Sequence, residues 1–335
     1  MATVNVGVVG LGFMGSRWAR ALSEHHGVRL RIVSDVREDL GRDLASRLGC
    51  EFVPDPLEAA SHRDLQGVAV CTPEHLHVEA AVAAIDAGKA VMVEKPLAHT
   101  VADAEKIRDI AAERDVPVLV GHILRFEPRY AAMARAVHAG EIGTVQAIRS
   151  ARVGLVSDQL ILRGRTSIAL YYGVHEFDLA RWLAGEISQL SAERSEGVLR
   201  AEGYPVEDLY SVLLRFTSGA HGTITLGWSL PESTPGWGIG DFTIIGEAGV
   251  LSVRQGEVGF LKVGAHGLIN EDVFFSPEVH GRLNGALRAE VDHFVRCVEG
   301  SASPLCTAAD GAKAVRISLA MEEAATRGEP VPLSA

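Results

Sequence analysis

Lys95 is the residue best placed in this sequence to bring a charge to a bound ligand. It follows the apolar run Ala90 to Val93, which ends at Glu94-Lys95-Pro96. An apolar run that stops at two charges and a proline predicts a buried parallel strand at its carboxyl end. Because ligands bind at the carboxyl ends of strands in open α/β sheets, we expect the Lys95 ammonium to lie beside the ligand. An exposed lysine in a strand–helix loop is the alternative when Lys95 is considered alone.

A glycine-rich turn at residues 10–15, with the pattern G-x-G-x-x-G, predicts that this ligand is a dinucleotide. It follows an apolar strand directly and precedes a helix from Ser16 to Ser23. Gly10 permits the tight turn, Gly12 the approach of a pyrophosphate, and Gly15 close packing of helix and strand. The phosphates then lie on the free N–H groups of the helix. The candidate cofactor contacts in this turn are Gly10, Gly12, Phe13, Met14 and Gly15.

Asp35 ends the second predicted strand, Arg29 to Ser34, and is placed to accept both ribose hydroxyls of the adenosine. A carboxylate there repels a 2′-phosphate, so the sequence favours NAD over NADP. Arg37 weakens this preference, because an arginine at that position either binds the phosphate or lies on the adenine. Capping of the helix Val36 to Leu48 is the alternative role for Asp35. Asp35, Val36 and Arg37 are therefore candidate cofactor contacts.

A polar segment, Thr72-Pro-Glu-His-Leu-His77, follows the strand Gly67 to Cys71 and opens the next helix. Its two histidines and Glu74 are residue types that bind metals. No further ligands occur at a matching spacing, so the sequence predicts no metal site.

The order of the elements predicts the fold. Strands and helices alternate as far as Gly121, with a helix from Thr100 to about Arg114 and a strand from Pro117 to Val120. This alternation predicts a Rossmann domain, a doubly wound parallel sheet, over residues 1–122.

The pattern changes after Gly121, where neighbouring strands follow one another. A strand is predicted from Thr144 to Arg152, then two hairpins, 208–216 with 222–229 and 242–245 with 250–253. Helices are predicted at about 175–184, 285–299 and 309–327. Residues 123–335 are therefore predicted to form an α+β domain with a large, mostly antiparallel, open-faced sheet. Because its uncovered face needs a cover, we expect a homodimer or homotetramer.

Composition excludes several classes of protein. The 335 residues include 43 acidic and 32 basic ones, giving a net charge of −11, and no basic run suggests a nucleic-acid partner. The hydrophobic fraction of 47% is typical of soluble globular proteins, and no apolar run suggests a membrane span. The chain enters a strand from Met1 without a signal-peptide pattern. The cysteines, at 50, 71, 297 and 306, lack zinc or redox-motif spacing, so a cytoplasmic protein is predicted.

Taken together, these groups resemble the glucose–fructose oxidoreductase/inositol dehydrogenase (Gfo/Idh/MocA) family over nearly the whole chain. The resemblance is carried by Gly10-x-Gly-x-x-Gly15, Asp35, Thr72-Pro73-x-x-x-His77, Ala87-Gly88-Lys89, Glu94-Lys95-Pro96, Arg125-Phe126, Gly173-Val-His175-x-x-Asp178 and the late Asn284-Gly285…Phe294 helix. It implies an NAD(P)-dependent enzyme that oxidises or reduces a secondary hydroxyl of a sugar, inositol or related polyol. It also implies a second domain that carries substrate groups and builds the oligomer, and a cis bond between Lys95 and Pro96.

The resemblance assigns roles that agree with the chemistry of hydride transfer, which needs a base for the hydroxyl proton and a cation for the alkoxide. Lys95 is the implied cation, with proton relay as a second role, and His175 the implied base. His175 is predicted to begin a helix, whose positive end keeps the imidazole neutral, and Asp178 is placed to orient it. A structural histidine is the alternative.

The remaining implied contacts extend both half-sites. The implied contacts of the nicotinamide half are Thr72, Pro73, Glu94 and Lys95. Further candidate cofactor contacts are His75, His77, Pro96 and Arg125. The implied substrate contacts are Lys95, His122, Arg125, Arg163, Tyr172 and His175.

The chain departs from the family at one position. Many members have Asp four residues before the histidine, where this chain has Tyr171, followed by Tyr172. A phenol donates and accepts hydrogen bonds but supplies no carboxylate at neutral pH. Tyr171 is therefore the third candidate catalytic residue, and an acid from elsewhere, altered chemistry or two packing tyrosines are the alternatives.

Two features leave the substrate and the reaction open. If Arg125, Arg163 and Arg165 converge on the ligand, an anionic or densely hydroxylated substrate is indicated, although exposure to solvent is favoured for Arg165. The same scaffold also suits an NAD-dependent glycosidase that oxidises its substrate transiently, and a non-catalytic NAD(P)-sensing regulator.

Overall fold

The structure, a computed structural model, describes residues 3–157, 162, 165–204, 206–234, 238–255, 260, 262–264, 267–269 and 272–333. By its internal contacts the chain divides into two units, which are described separately. The first comprises Met1–Pro128 and Val273–Val315, and the second Arg129–Asp272 and Arg316–Ala335. The domain boundary at residues 122–123 stays a prediction.

The elements are numbered here in chain order. The strands are β1 (Val4–Val9), β2 (Val28–Ser34), β3 (Glu51–Phe52), β4 (Gly67–Val70), β5 (Ala90–Glu94), β6 (Val118–Gly121), β7 (Val145–Leu155), β8 (Ile187–Ser195), β9 (Leu209–Phe216), β10 (His221–Leu230), β11 (Ile239–Gly246), β12 (Val250–Arg254), β13 (Lys262–Gly264), β14 (Gly267–Ile269), β15 (Glu278–Val279), β16 (Arg282–Leu283) and β17 (Val331–Pro332). The helices are α1 (Phe13–Ser23), α2 (Glu38–Leu48), α3 (Pro56–Ser61), α4 (His77–Asp86), α5 (Val101–Glu113), α6 (Pro128–His138), α7 (Val174–Ala184), α8 (Val198–Ala201), α9 (Gly285–Val298) and α10 (Ala308–Arg327).

The first unit is built on a six-stranded parallel sheet with the strand order β3-β2-β1-β4-β5-β6. Strands β4, β5 and β6 are buried along their whole length, as expected for parallel strands covered on both faces. This order is that of the doubly wound dinucleotide-binding sheet, so the predicted Rossmann fold is confirmed.

A late segment of the chain completes the first unit. Helix α9 packs against α1, where the rings of Trp18 and Phe294 meet edge-on with centroids 5.9 Å apart. The sequence predicted α9 as a helix but did not indicate that it joins the nucleotide-binding sheet.

The second unit contains a seven-stranded sheet with the order β12-β11-β7-β10-β9-β8-β17. Only the β7–β10 pair is parallel, and the other neighbours run antiparallel. Both predicted hairpins are confirmed, β9 with β10 and β11 with β12, and Gly219 has a φ of +92° in the first turn. Buried and exposed residues alternate along β9, so one face of the sheet is uncovered there.

Sequence reasoning missed α6, β8 and the short strand β17 in this unit. Strand β8 has polar residues at several positions, and the 11-residue helix α6 buries only Tyr130, Met133 and Ala134, so neither element carries a long apolar pattern. Among the described residues, no helix combines the length and the apolar character that crossing a membrane requires.

Candidate functional site

The glycine turn between β1 and α1 has the geometry of a phosphate cradle. Gly10 has a φ of +87°, and a Cβ there would lie 2.6 Å from the backbone N of Thr72. A Cβ on Gly15 would lie 1.8 Å from the carbonyl O of Gly10, so helix and strand are in direct contact. A Cβ on Gly12 would meet nothing within 4 Å. Helix α1 has no side-chain cap and no acid in its first turn, so its N–H groups suit a pyrophosphate.

The first turn of α1 also carries an exposed aromatic ring. Phe13 is 68% exposed, and the guanidinium carbon of Arg17 lies 3.7 Å from the centroid of its ring. This is a cation–π contact at the mouth of the glycine turn. Met14, the neighbouring predicted contact, is half-buried.

Asp35 is held rigidly at the end of β2. One carboxylate oxygen accepts from the backbone N of Leu11 at 2.7 Å, and the other from the backbone N of Arg37 at 2.8 Å. The Arg37 guanidinium also donates to both oxygens, at 3.0 and 3.1 Å. Burial raises the pKa of Asp35, but these hydrogen bonds outweigh it and hold the pKa below its usual value. Val36 is exposed beside this pair.

The segment after β4 separates into exposed and buried side chains. Pro73 and His75 are exposed, whereas His77 is 1% exposed. Both ring nitrogens of His77 lie 2.9 Å from backbone carbonyls, Nε2 from Thr72 O and Nδ1 from Pro96 O. The buried Oγ1 of Thr72 has no hydrogen-bond partner within the described residues.

Lys95 is half-buried immediately after β5, and its bond to Pro96 is cis, as predicted. Its backbone N donates to Oε2 of Glu94 at 3.2 Å. Burial raises the pKa of Glu94 to about 7, against the charge of Lys95. Burial and the charge of Glu94 also raise the pKa of Glu290 on α9, a buried side chain that the sequence analysis did not single out. An acidic residue among the apolar positions of α9 was the sequence feature that could have identified it.

His122 and Arg125 follow β6 and are both buried, at 1% and 4% exposure. Nη1 of Arg125 donates to the carbonyl O of Leu305 at 2.6 Å and lies 3.8 Å from Oδ2 of Asp310. The first unit thus brings all these predicted cofactor residues to segments that follow β1, β2, β4, β5 and β6.

The candidates in the second unit lie on one continuous helical run. A π-helical turn, Ala169–Gly173, leads directly into α7, and the backbone N of Val174 donates to Ala169 O. The run begins at Ile168, where Oε1 of Glu207 accepts from the backbone N. The predicted start of an α-helix at about His175 is confirmed to within one residue, since α7 begins at Val174. The π-helical turn ahead of α7 was not predicted, and it puts the start of the helical run at Ile168. Asp178 is buried one turn later on α7.

Tyr171 and Tyr172 occupy the π-helical turn and form an aromatic cluster with Trp228 on β10. The two tyrosine rings meet at a centroid distance of 4.8 Å, and they lie 6.0 and 6.2 Å from the buried Trp228. Arg165 is exposed, and Arg163 lies outside the described residues.

A buried ion pair connects the helix that carries His175 to β7, an interior strand of its sheet. Nε of Arg152 on β7 lies 2.5 Å from Oε1 of Glu176. Glu176 also accepts from Ser150 Oγ, which contacts Asp241 O at 3.0 Å, and Gln255 lies 3.3 Å from Arg152. This network was not predicted from the sequence, although a charged residue at an inward position of β7 indicates it.

Comparison with known proteins agrees with this architecture. Residues 4–122 match the profile of the oxidoreductase family (GFO_IDH_MocA), NAD-binding Rossmann fold, and residues 134–333 that of its C-terminal alpha/beta domain. Inositol 2-dehydrogenase 1 of Saccharopolyspora erythraea is 35% identical over 215 residues, which are 59% of this chain and 60% of that enzyme. The scyllo-inositol 2-dehydrogenase (NAD(+)) of Bacillus subtilis is 28% identical over 342 residues, 98% of this chain and 96% of that enzyme.

Solved structures show the same fold. The structure of scyllo-inositol dehydrogenase from Lactobacillus casei, with bound NAD(H) and scyllo-inositol, matches with a TM-score of 0.82 at 22% identity, covering 98% of this chain and 99% of that one.

The chain therefore belongs to the Gfo/Idh/MocA family of oxidoreductases. It is an NAD(P)-dependent oxidoreductase that acts on CH–OH groups, so the predicted family and enzyme class are confirmed. The roles of the individual site residues stay predictions.

Proposed function

We propose that the protein transfers a hydride between NAD and a secondary carbinol carbon of an inositol or a related polyol or sugar. One observation carries the proposal. The glycine cradle directly follows β1, and Lys95 directly follows β5, at the same edge of one parallel sheet. Ligands bind at this edge in doubly wound sheets. The names of the S. erythraea and B. subtilis relatives support an inositol as the substrate.

Cofactor binding is assigned to the first unit. The N–H groups of α1 and the open space over Gly12 receive the pyrophosphate, and Asp35 receives the adenosine ribose. We propose NAD as the preferred cofactor, because the buried carboxylate of Asp35 stands where a 2′-phosphate would bring further negative charge. The nicotinamide half is assigned to the segments that contain Thr72 and Lys95.

The catalytic roles follow from what a carbinol requires. Bound NAD supplies the hydride acceptor. The Lys95 ammonium stabilises the alkoxide that forms as the hydroxyl loses its proton, and His175 is proposed to take that proton. The ion pair of Arg152 and Glu176 holds the first turn of α7 and therefore the backbone of His175.

Tyr171 is proposed to donate a hydrogen bond to the substrate at the position where many relatives have an aspartate. Packing against Tyr172 and Trp228 limits the freedom of its ring. A phenol is uncharged at neutral pH, so residue 171 supplies no carboxylate to help accept the proton. His175 is therefore the proposed proton acceptor.

The uncovered face of the second-unit sheet is proposed as the interface between subunits. Leu213 on β9, Ile245 on β11 and Val250 on β12 are 47%, 38% and 60% exposed. Apolar side chains along an uncovered sheet are typical of a surface that a second copy covers, so a homodimer or homotetramer is expected.

Formation of NADH tests the proposal, with a panel of inositols, sugars, uronates and glycosides offered with NAD and with NADP. We expect one polyol and NAD to give net NADH, and Lys95→Ala and His175→Asn each to lower kcat by about a hundredfold or more. Lys106→Ala, which changes an exposed lysine on α5, is the matched control and leaves kcat unchanged.

The other outcomes separate the rival functions. Cleavage of a glycoside without net NADH identifies the glycosidase. Binding of NAD without turnover of any compound, or full turnover in Lys95→Ala, contradicts the proposed dehydrogenase mechanism.

A further inference from the structure

His77 joins two segments that follow neighbouring strands of the first sheet. Its Nε2 lies 2.9 Å from Thr72 O, after β4, and its Nδ1 lies 2.9 Å from Pro96 O, after β5. The ladder between β4 and β5 ends at the pair Val70 and Val93. Beyond that pair, within the described residues, the His77 ring bridges the two segments.

We propose that His77 is a positioning residue that sets the spacing between the Thr72 segment and Lys95. The inference rests on the proposed function, which assigns the nicotinamide half to the first segment and alkoxide stabilisation to the second. At 1% exposure the His77 ring acts through the two carbonyls rather than by touching a ligand.

The residue type suits this role. The ring meets carbonyl oxygens at both nitrogens, and a carbonyl can only accept a hydrogen bond. An imidazolium donates to both segments, whereas the neutral ring donates to one and turns a lone pair toward the other. Burial lowers the pKa of His77, against the two carbonyls and the buried carboxyl of Glu74.

Two amide substitutions separate the two contacts. The amide nitrogen of Asn occupies nearly the position of Nδ1, so H77N keeps a donor toward Pro96 O and loses the contact with Thr72 O. The amide nitrogen of Gln occupies nearly the position of Nε2, so H77Q keeps the contact with Thr72 O and loses that with Pro96 O. His138→Gln is the control, because His138 is an exposed histidine that meets one carbonyl, Trp182 O at 3.0 Å.

The expected result is a division of effects between the two variants. H77N raises the Kd for NAD about tenfold with kcat within about twofold, because the Thr72 segment is loosened. H77Q lowers kcat about tenfold with the Kd for NAD within about twofold, because Lys95 is displaced. His138→Gln changes neither constant.

Equal changes in both constants, or a lower melting temperature with unchanged constants, would overturn the positioning role. Hydrogen exchange of the wild-type protein is the second measurement, needed if the variants do not fold. NAD is expected to protect the amides of residues 72–77 and 95–98 together, apart from Pro73 and Pro96, which have no N–H. Protection of one segment alone contradicts the inference. Turnover that survives in Lys95→Ala refutes the proposed function itself, whereas an inactive Lys95→Ala beside undivided His77 variants refutes only the inference.

Discussion

Arg152 and Glu176 form an ion pair in the interior of the second unit, with 2.5 Å between Nε and Oε1. The Glu176 side chain is 1% exposed and that of Arg152 11%. Burial lowers the pKa of Arg152, but the charge of Glu176 outweighs it and raises the pKa above its usual value. The pair connects β7, an interior strand of the sheet, with the first turn of α7, which carries His175.

Removal of one partner of this ion pair is expected to lower the free energy of unfolding more than removal of both. Arg152→Met leaves the Glu176 carboxylate buried without its cation, so the free energy of unfolding should fall by about 3 to 5 kcal/mol. The double variant Arg152→Met/Glu176→Leu should lose far less, since neither charge remains to be desolvated. Urea denaturation measures both.

The exposed pair Arg42 and Glu38 on α2 supplies the control for that comparison, because its atoms lie 2.8 Å apart in solvent. Arg42→Met should lower the free energy of unfolding by about 0.5 kcal/mol or less. An equal loss in the single and double Arg152 variants would contradict a buried, charge-dependent contact.

Glu290→Gln is expected to stabilise the protein at neutral and higher pH. Burial raises the pKa of Glu290, so the folded protein holds a proton that the unfolded chain releases above its usual pKa of 4.5. The resulting loss of stability is absent below that pKa and grows as the pH rises toward the folded-state pKa. Glutamine has no proton to lose, so the variant should gain stability over the wild type as the pH rises toward 8 and gain nothing near pH 4.

The melting temperature as a function of pH measures this difference. Glu299→Gln, which changes an exposed acid just after α9, should show no pH-dependent gain. A Glu290→Gln variant that is less stable than the wild type at every pH would show that the Glu290 carboxyl is a stabilising group.

The buried carboxyls of Glu94 and Glu290 illustrate which features the sequence could predict and which it could not. The apolar run before Glu94, the glycines at 10–15 and the two hairpins are local patterns, and each predicted its element. Glu290 comes close to Glu94 only because α9 returns to the first sheet, and no local pattern specifies that return. The ion pair of Arg152 and Glu176 was missed for the same reason.

The π-helical turn before His175 was not predicted because of its residue types. Tyr171, Tyr172 and Gly173 have low helix propensity, so the segment gave no signal of a helical turn. Packing of the two tyrosines on Trp228 accompanies the π-helical turn that continues into α7. Tertiary contacts thus override local propensity at Tyr171 and Tyr172.

Substitutions at two glycines should separate folding from cofactor binding. Gly12→Ala adds a methyl group that meets no protein atom within 4 Å, so the melting temperature should hardly change. The methyl group would occupy the approach of the pyrophosphate and raise the Kd for NAD about tenfold or more. Gly15→Ala brings a Cβ to 1.8 Å from Gly10 O, so both stability and NAD binding should be lost. Unimpaired NAD binding by Gly12→Ala would contradict the assigned cradle.

The Asp35–Arg37 pair is expected to set the preference between the two nicotinamide cofactors. Asp35→Ser removes the carboxylate and releases the guanidinium of Arg37, now held at 3.0 and 3.1 Å, for a 2′-phosphate. The ratio of kcat/KM for NADP to that for NAD should rise about tenfold or more. Arg37→Ala in the same background should reverse the gain, and an unchanged ratio in Asp35→Ser would contradict the assigned ribose contact.

Isotopic labelling distinguishes direct hydride transfer from a secondary carbinol to NAD from the rival reactions. The enzyme would be incubated with NAD and the polyol that gives turnover, deuterated at its carbinol carbons, and the NADH analysed by NMR. Direct transfer predicts net NADH that carries deuterium at C4 of the nicotinamide, and labelled NADH that forms about a hundredfold or more slowly with Lys95→Ala. NADH without deuterium, or label returned to a cleaved glycoside with no net NADH, would contradict it.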